Sequence, residues 1–188
     1  MSGPAVDRDL PRGVAALPEA GSVHVHFDGA CEELGGQRVA AYGYTLEGAG
    51  LAHEEYGLAV PPGHARATNN TAEYVGAICA LEWLTAQGYD GDVRLAGDSQ
   101  LVIRQMTGEY RVQSEGLRPY HDRLLQLAGR FRRVEYVWVP REENTRADQL
   151  SKQGILLGAP AGRSKAASPR PYEGDASPDG LPDDGDAD

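Results

Sequence analysis

The chain has 188 residues, 18 basic and 28 acidic side chains, a formal net charge of −10 and 40% hydrophobic residues. That length suits one domain with tails, and no run reaches the ~18 apolar residues of a membrane span. The acidity argues at first sight against a nucleic-acid partner, whose readers usually present basic faces. The two cysteines, Cys31 and Cys79, make no disulfide framework, so a cytoplasmic setting is expected.

Residues 1–21 contain Pro4, Pro11 and Pro18 and no apolar run of signal-peptide length; a disordered leader is expected. Residues 23–27 alternate with period two up to Asp28-Gly29, a turn signal, and predict a first strand. Residues 38–47 and 51–60 predict two more, joined by a hairpin at Gly48-Ala49-Gly50. Val75, Ile78, Cys79, Leu81 and Leu84 then recur at helical spacing in a segment ending near Gly88. A short strand follows at 93–96. Leu101, Val102 and Met106 mark a short helix, and Leu117, Leu124, Leu125 and Phe131 another. Residues 134–139 predict a strand stopped by Pro140, and a last helix runs from about Thr145 to Leu157. Residues 159–188 hold seven acids, three basic residues and five prolines, which predicts a disordered acidic tail. The folded domain is thus expected at 22–158, where the net charge is −5.

The order βββαβααβα predicts an α/β fold. An antiparallel meander is followed by helical crossovers to parallel strands, giving a five-stranded mixed sheet with helices on both faces. Four acids fall at the ends of these elements: Asp28, Glu73, Asp98 and Asp148. Each has an ordinary explanation. Asp28-Gly29 reads as a turn, Asn70-x-x-Glu73 and Thr145-x-x-Asp148 as capping boxes, and Asp98 as a helix N-cap. Together they suggest more, because Asp28 and Asp98 end neighbouring parallel strands at the sheet edge where α/β folds place sites. Oxygen-only donors suit hard cations such as Mg²⁺ or Mn²⁺. Several carboxylates without a His or Cys cluster suggest two such ions about 3.5–4 Å apart, an arrangement used for phosphodiester chemistry.

Four segments carry a family resemblance: Phe27-Asp28-Gly29-Ala30-Cys31, Thr68-Asn69-Asn70-Thr71-Ala72-Glu73, Gly97-Asp98-Ser99-Gln100 and Asn144-Thr145-Arg146-Ala147-Asp148. In this order and spacing they resemble type 1 ribonuclease H over nearly all of 22–158. The resemblance implies the ribonuclease H-like fold and hydrolysis of the RNA strand of RNA–DNA hybrids. It implies Asp28, Glu73, Asp98 and Asp148 as ligands of two metal ions, with 5′-phosphate and 3′-hydroxyl products. It also implies that Asn69, Asn70 and Gln100 read the minor groove of the hybrid, where the 2′-hydroxyl separates RNA from DNA. Cys31 falls where the family approaches the RNA with main-chain groups, and Arg66 and Thr68 where some members grip a DNA phosphate. No protein partner is implied, and a monomer is the default.

The chain departs from some members in two ways. Residues 138–147 contain no His; Arg141, seven residues before Asp148, resembles the archaeal-like branch and is expected to touch the scissile phosphate or assist product release. Residues 105–120 are neutral, so the basic protrusion that grips the hybrid in several bacterial members is absent and modest affinity is expected. A hybrid-binding module without chemistry, or another nuclease of the superfamily, are the alternatives. The four acids speak against the first, and Thr68-Asn69-Asn70 with Asp98-Ser99-Gln100 against the second. His24, His26, Cys79, Trp83 and Trp138 read as structural residues, and Arg130-Phe131-Arg132-Arg133 equally as a helix end or a phosphate contact.

Overall fold

The computed structural model describes residues 21–159. Apart from Gly21 and Ala159, the expected leader and tail lie outside the described residues. The elements are β1 (Val23–Leu34), β2 (Gln37–Gly48), β3 (Leu51–Leu58), α1 (Asn69–Ala86), β4 (Asp92–Gly97), α2 (Gln100–Met106), α3 (Arg118–Ala128), β5 (Arg133–Trp138), a 3₁₀ turn (Arg141–Glu143) and α4 (Thr145–Leu157). The expected order βββαβααβα is present. The strands lie β3-β2-β1-β4-β5 in one sheet. β1, β2 and β3 pair antiparallel, and β4 and β5 run parallel to β1.

Strand alternation divides the core between two faces. On β2, Ala40, Tyr42, Tyr44 and Leu46 join the main core with Val75, Ile78 and Leu81 of α1 and Leu124 and Leu127 of α3. The intervening Val39 and Ala41 pack with Ile155 of α4 in a second, smaller cluster. The sheet is therefore covered on both faces.

β1 does not stop at Asp28-Gly29. It runs to Leu34, and the chain turns at Gly35-Gly36, where both φ angles are positive (58° and 78°). β2 supplies the pairing that carries β1 onward, with Asp28 opposite Gly43 and Gly29 opposite Tyr42. Gly29 serves a different need from a turn. A Cβ there would sit 2.6 Å from the main-chain carbonyl carbon of Ala72, so only glycine lets α1 approach β1 this closely. The parallel pairing with β4 does end here, at Phe27 opposite Gly97. Asp28 is thus the first β1 residue past the edge of β4, as the site argument requires. Between α2 and α3, residues 107–117 form a connection with no further helix.

Candidate active site

The helix starts overturn three of the ordinary explanations for the acids. Thr68 caps α1, its hydroxyl accepting the Thr71 N–H at 3.1 Å, so Asn70 is no cap and Glu73 closes no capping box. Ser99 caps α2 by accepting the Val102 N–H at 3.4 Å, not Asp98. α4 starts after Asn144, and the Thr145 hydroxyl donates to the Glu142 carbonyl at 2.9 Å rather than capping. In each case a neighbouring residue occupies the cap position.

Asp28, Glu73 and Asp98 each bring one carboxylate oxygen within 4.8 Å of the others. Glu73 is buried, and its Oε2 has no hydrogen-bond partner. Burial raises its carboxyl well above the usual range, and the charges of Asp28 and Asp98 add to this. Asp28 is also buried, on the α4 side of β1. Burial pushes its carboxyl up to about 7, reinforced by Asp98 and Asp148 and opposed by a hydrogen bond from the Ser151 hydroxyl. Like charges gathered away from water without a counterion are costly. An orphaned buried carboxylate oxygen beside two further carboxylates fits a hard divalent cation, which takes oxygen ligands.

Asp148 lines the same cleft but lies outside that group of three. Arg141 Nη2 donates to its Oδ1 at 2.5 Å and Lys152 Nζ to its Oδ2 at 2.6 Å. Burial pushes its carboxyl upward, but the hydrogen bonds from Lys152 and Arg141 outweigh this and hold it below its ordinary value. The four acids do not converge equally, because two cationic side chains already hold the fourth.

Partners from distant segments brace these carboxylates. Asn144 Nδ2 donates to the Phe27 carbonyl at 2.9 Å and to Asp98 Oδ1 at 3.3 Å, and His26 Nδ1 lies 3.4 Å from Asn144 Oδ1. Trp138 is 38% exposed rather than packed in the core, and its Nε1 donates to the Asp98 carbonyl at 3.1 Å. The Ser151 hydroxyl, fully buried, also lies 2.9 Å from the Asp148 carbonyl. Sequence reading assigned no role to Asn144, Ser151 or Lys152. The signal for the last two was helical spacing: positions three and four after Asp148 share its face of α4.

A cleft of about 380 Å³ is lined by the four acids with Cys31, Asn69, Arg141 and Lys152. Arg66, Thr68 and Asn70 instead line a larger cavity of about 690 Å³, whose wall includes Tyr110 and Arg111 from the α2–α3 connection. Gln100 stands exposed at the start of α2 and lines neither. Cys31 Sγ donates to the Ala67 carbonyl at 3.4 Å, which ties β1 to the segment before α1.

This sheet order, with an acidic cleft where β1 and β4 part, has counterparts among known proteins. The family described as reverse transcriptase-like matches residues 54–154. A ribonuclease HI of Halobacterium salinarum is 40% identical over 136 residues, which are 72% of this chain and 65% of that protein. The chain spans less than two thirds of the length of the curated relatives it matches. The crystal structure of RNase H1 from the same archaeon superposes with a TM-score of 0.63 at 37% identity, covering 72% of this chain and 98% of that one. LC11-RNase H1, solved in complex with an RNA/DNA hybrid, gives 0.61 at 30% identity over 71% and 96% of the two chains. The chain belongs to the type 1 ribonuclease H family.

Proposed function

We propose that this chain is an endonuclease that hydrolyses the RNA strand of RNA–DNA hybrids with two divalent cations, Mg²⁺ or Mn²⁺, leaving 5′-phosphate and 3′-hydroxyl ends. The observation that carries the reading is the convergence of Asp28, Glu73 and Asp98 around a buried oxygen that the protein itself leaves unsatisfied. The hybrid bound to LC11-RNase H1 supports the substrate class. Asp28, Glu73 and Asp98 would hold one ion, and Asp28 and Asp148 would share the other. The ions supply activation of a water for in-line attack and stabilisation of the leaving 3′-oxygen.

The remaining work falls to side chains. Ser151 and Asn144 fix the orientation of Asp28 and Asp98, so that the ligands need not reorganise during reaction. Arg141, at the cleft wall, contacts the scissile phosphate or helps product leave. Asn69, Asn70 and Gln100 read the minor groove, the main chain near Cys31 approaches the RNA, and Arg66 and Thr68 hold a DNA-strand phosphate. The enzyme acts in the cytoplasm as a monomer. No helix among the described residues is long and apolar enough to cross a membrane.

The test is cleavage of labelled hybrid, pure DNA duplex and pure RNA duplex by the full chain with Mg²⁺ or Mn²⁺, beside Asp28→Asn. Metal-dependent cutting of the RNA strand of the hybrid, lost in the variant, is expected. Binding without cutting would favour a hybrid-binding module. Equal cutting of DNA duplex would favour another nuclease activity.

A further inference from the structure

The two halves of the cleft differ in how their carboxylates are balanced. Asp28, Glu73 and Asp98 face one another without a cationic side chain bonded to any of them among the described residues. Asp148 has a cation on each oxygen. A divalent ion entering the first group need displace no side chain bonded to it. An ion that needs Asp148 must displace a side chain that already holds the oxygen.

We propose that Lys152 is a built-in competitor for the cation that Asp148 would hold, so that the cleft fills in order, the Asp28–Glu73–Asp98 site first and the Asp148 site second and more weakly. This rests on the reading of the cleft as a two-cation site. Three features place Lys152 to compete; Arg141 shares them, and the two differ in the chemistry of their head groups. Its Nζ lies 2.6 Å from Asp148 Oδ2, the distance of a direct ion pair. It lines the cleft rather than the outer face of α4. Its side chain is 54% exposed, so the ammonium can return to water at little cost. A lysine is a point charge on a flexible stem, suited to exchange with a cation; a guanidinium fork is better suited to a fixed grip. Arg141, on the other oxygen, stays with Asp148 when Lys152 leaves.

The experiment is titration of the full-length, metal-stripped protein with Mn²⁺ alone, followed by calorimetry and by the resonance signal of free Mn²⁺. Wild type is expected to show a tight and a weak class of ion. Lys152→Met is expected to tighten the weak class by about threefold to fivefold, the worth of an exposed ion pair, and to leave the tight class in place. Lys152→Arg, which keeps the charge but grips with a fixed fork, is expected to leave the weak class no tighter than in wild type. In an Asp148→Asn background the effect of Lys152→Met is expected to vanish. Unchanged weak binding in Lys152→Met would overturn the proposal. So would equal tightening of both classes, persistence of the effect in Asp148→Asn, or a single class in both wild type and Lys152→Met. Hybrid cleavage is measured separately. A protein that shows the Mn²⁺ effect without cutting hybrid contradicts the proposed function and leaves the competition standing. One that cuts hybrid without the effect does the reverse.

Discussion

Two glutamates on the α1 side of the sheet are treated in opposite ways. Glu55, on β3, accepts hydrogen bonds from the hydroxyls of Tyr42 at 2.9 Å and Tyr44 at 3.0 Å, and His53 Nε2 lies 3.3 Å from the same carboxylate. His53 is in turn stacked on Trp83, with ring centroids 4.5 Å apart. Glu73, in the second turn of α1, is more deeply buried and keeps an oxygen with no partner. A carboxylate saturated by protein donors is finished as a structural part. One left unsatisfied in the interior keeps an oxygen open to a ligand or a proton. The contrast separates the acid that braces the sheet from the acids proposed to hold a cation.

The largest effect expected from this contrast is on turnover. Glu73→Gln and Asp28→Asn should each lower hybrid cleavage at least about 100-fold, because a catalytic ion contributes several kcal/mol. In metal-free buffer their melting temperatures should not fall, since each removes a costly buried charge. A loss of stability matching the loss of activity would erase the distinction. Ser151→Ala should cost about tenfold in activity or in cation affinity, the usual toll for a residue that orients a metal ligand. An activity within twofold of wild type would deny Ser151 that role.

Tyr44→Phe should do the opposite of Glu73→Gln. It removes one donor from Glu55 and should destabilise the protein by about 1 kcal/mol by chemical denaturation, with turnover preserved.

A pH-dependent effect follows from protonation. Burial raises Asp28 in the folded chain to about 7, above its unfolded value. Below the unfolded value the carboxyl is protonated in both states and costs nothing. As pH climbs toward 7 the folded state binds more protons than the unfolded one, so ionisation of Asp28 lowers stability. Without metal, Asp28→Asn should therefore match wild type near pH 4 and become the more stable of the two by pH 7–8. A gap of the other sign would show that Asp28 is not strained by burial.

The architecture and the positions of the four acids were legible in the sequence because both rest on local signals. Strand and helix periods, and acids at the ends of elements, survive in one dimension. What escaped lay in pairing across the chain. Asp-Gly at 28–29 reads as a turn until β2 is seen to continue the ladder beside it, and Gly29 proves to be there for the approach of α1. Ser151 meets Asp28, and Asn144 meets Phe27, across more than a hundred residues, a separation no spacing rule reports. The capping readings failed for a local reason: Thr68, Ser99 and Asn144 occupy the three cap positions. Trp138 looked like core by residue type alone, yet its strand ends at the site and its indole N–H holds the Asp98 loop. The net charge of −10 likewise says little about the site, since it averages over a cleft that gathers four carboxylates with Arg141 and Lys152.

The most direct test of the contrast is the change in melting temperature on adding Mn²⁺ to wild type, Glu55→Gln and Glu73→Gln, each compared with its own metal-free state. An ion that binds only the folded protein raises stability by about 1.4 kcal/mol at tenfold excess over its dissociation constant. Wild type and Glu55→Gln should both gain this stabilisation, and Glu73→Gln should gain little or none. Equal gains in all three proteins would contradict the assignment of Glu73 as the carboxylate kept open for a cation.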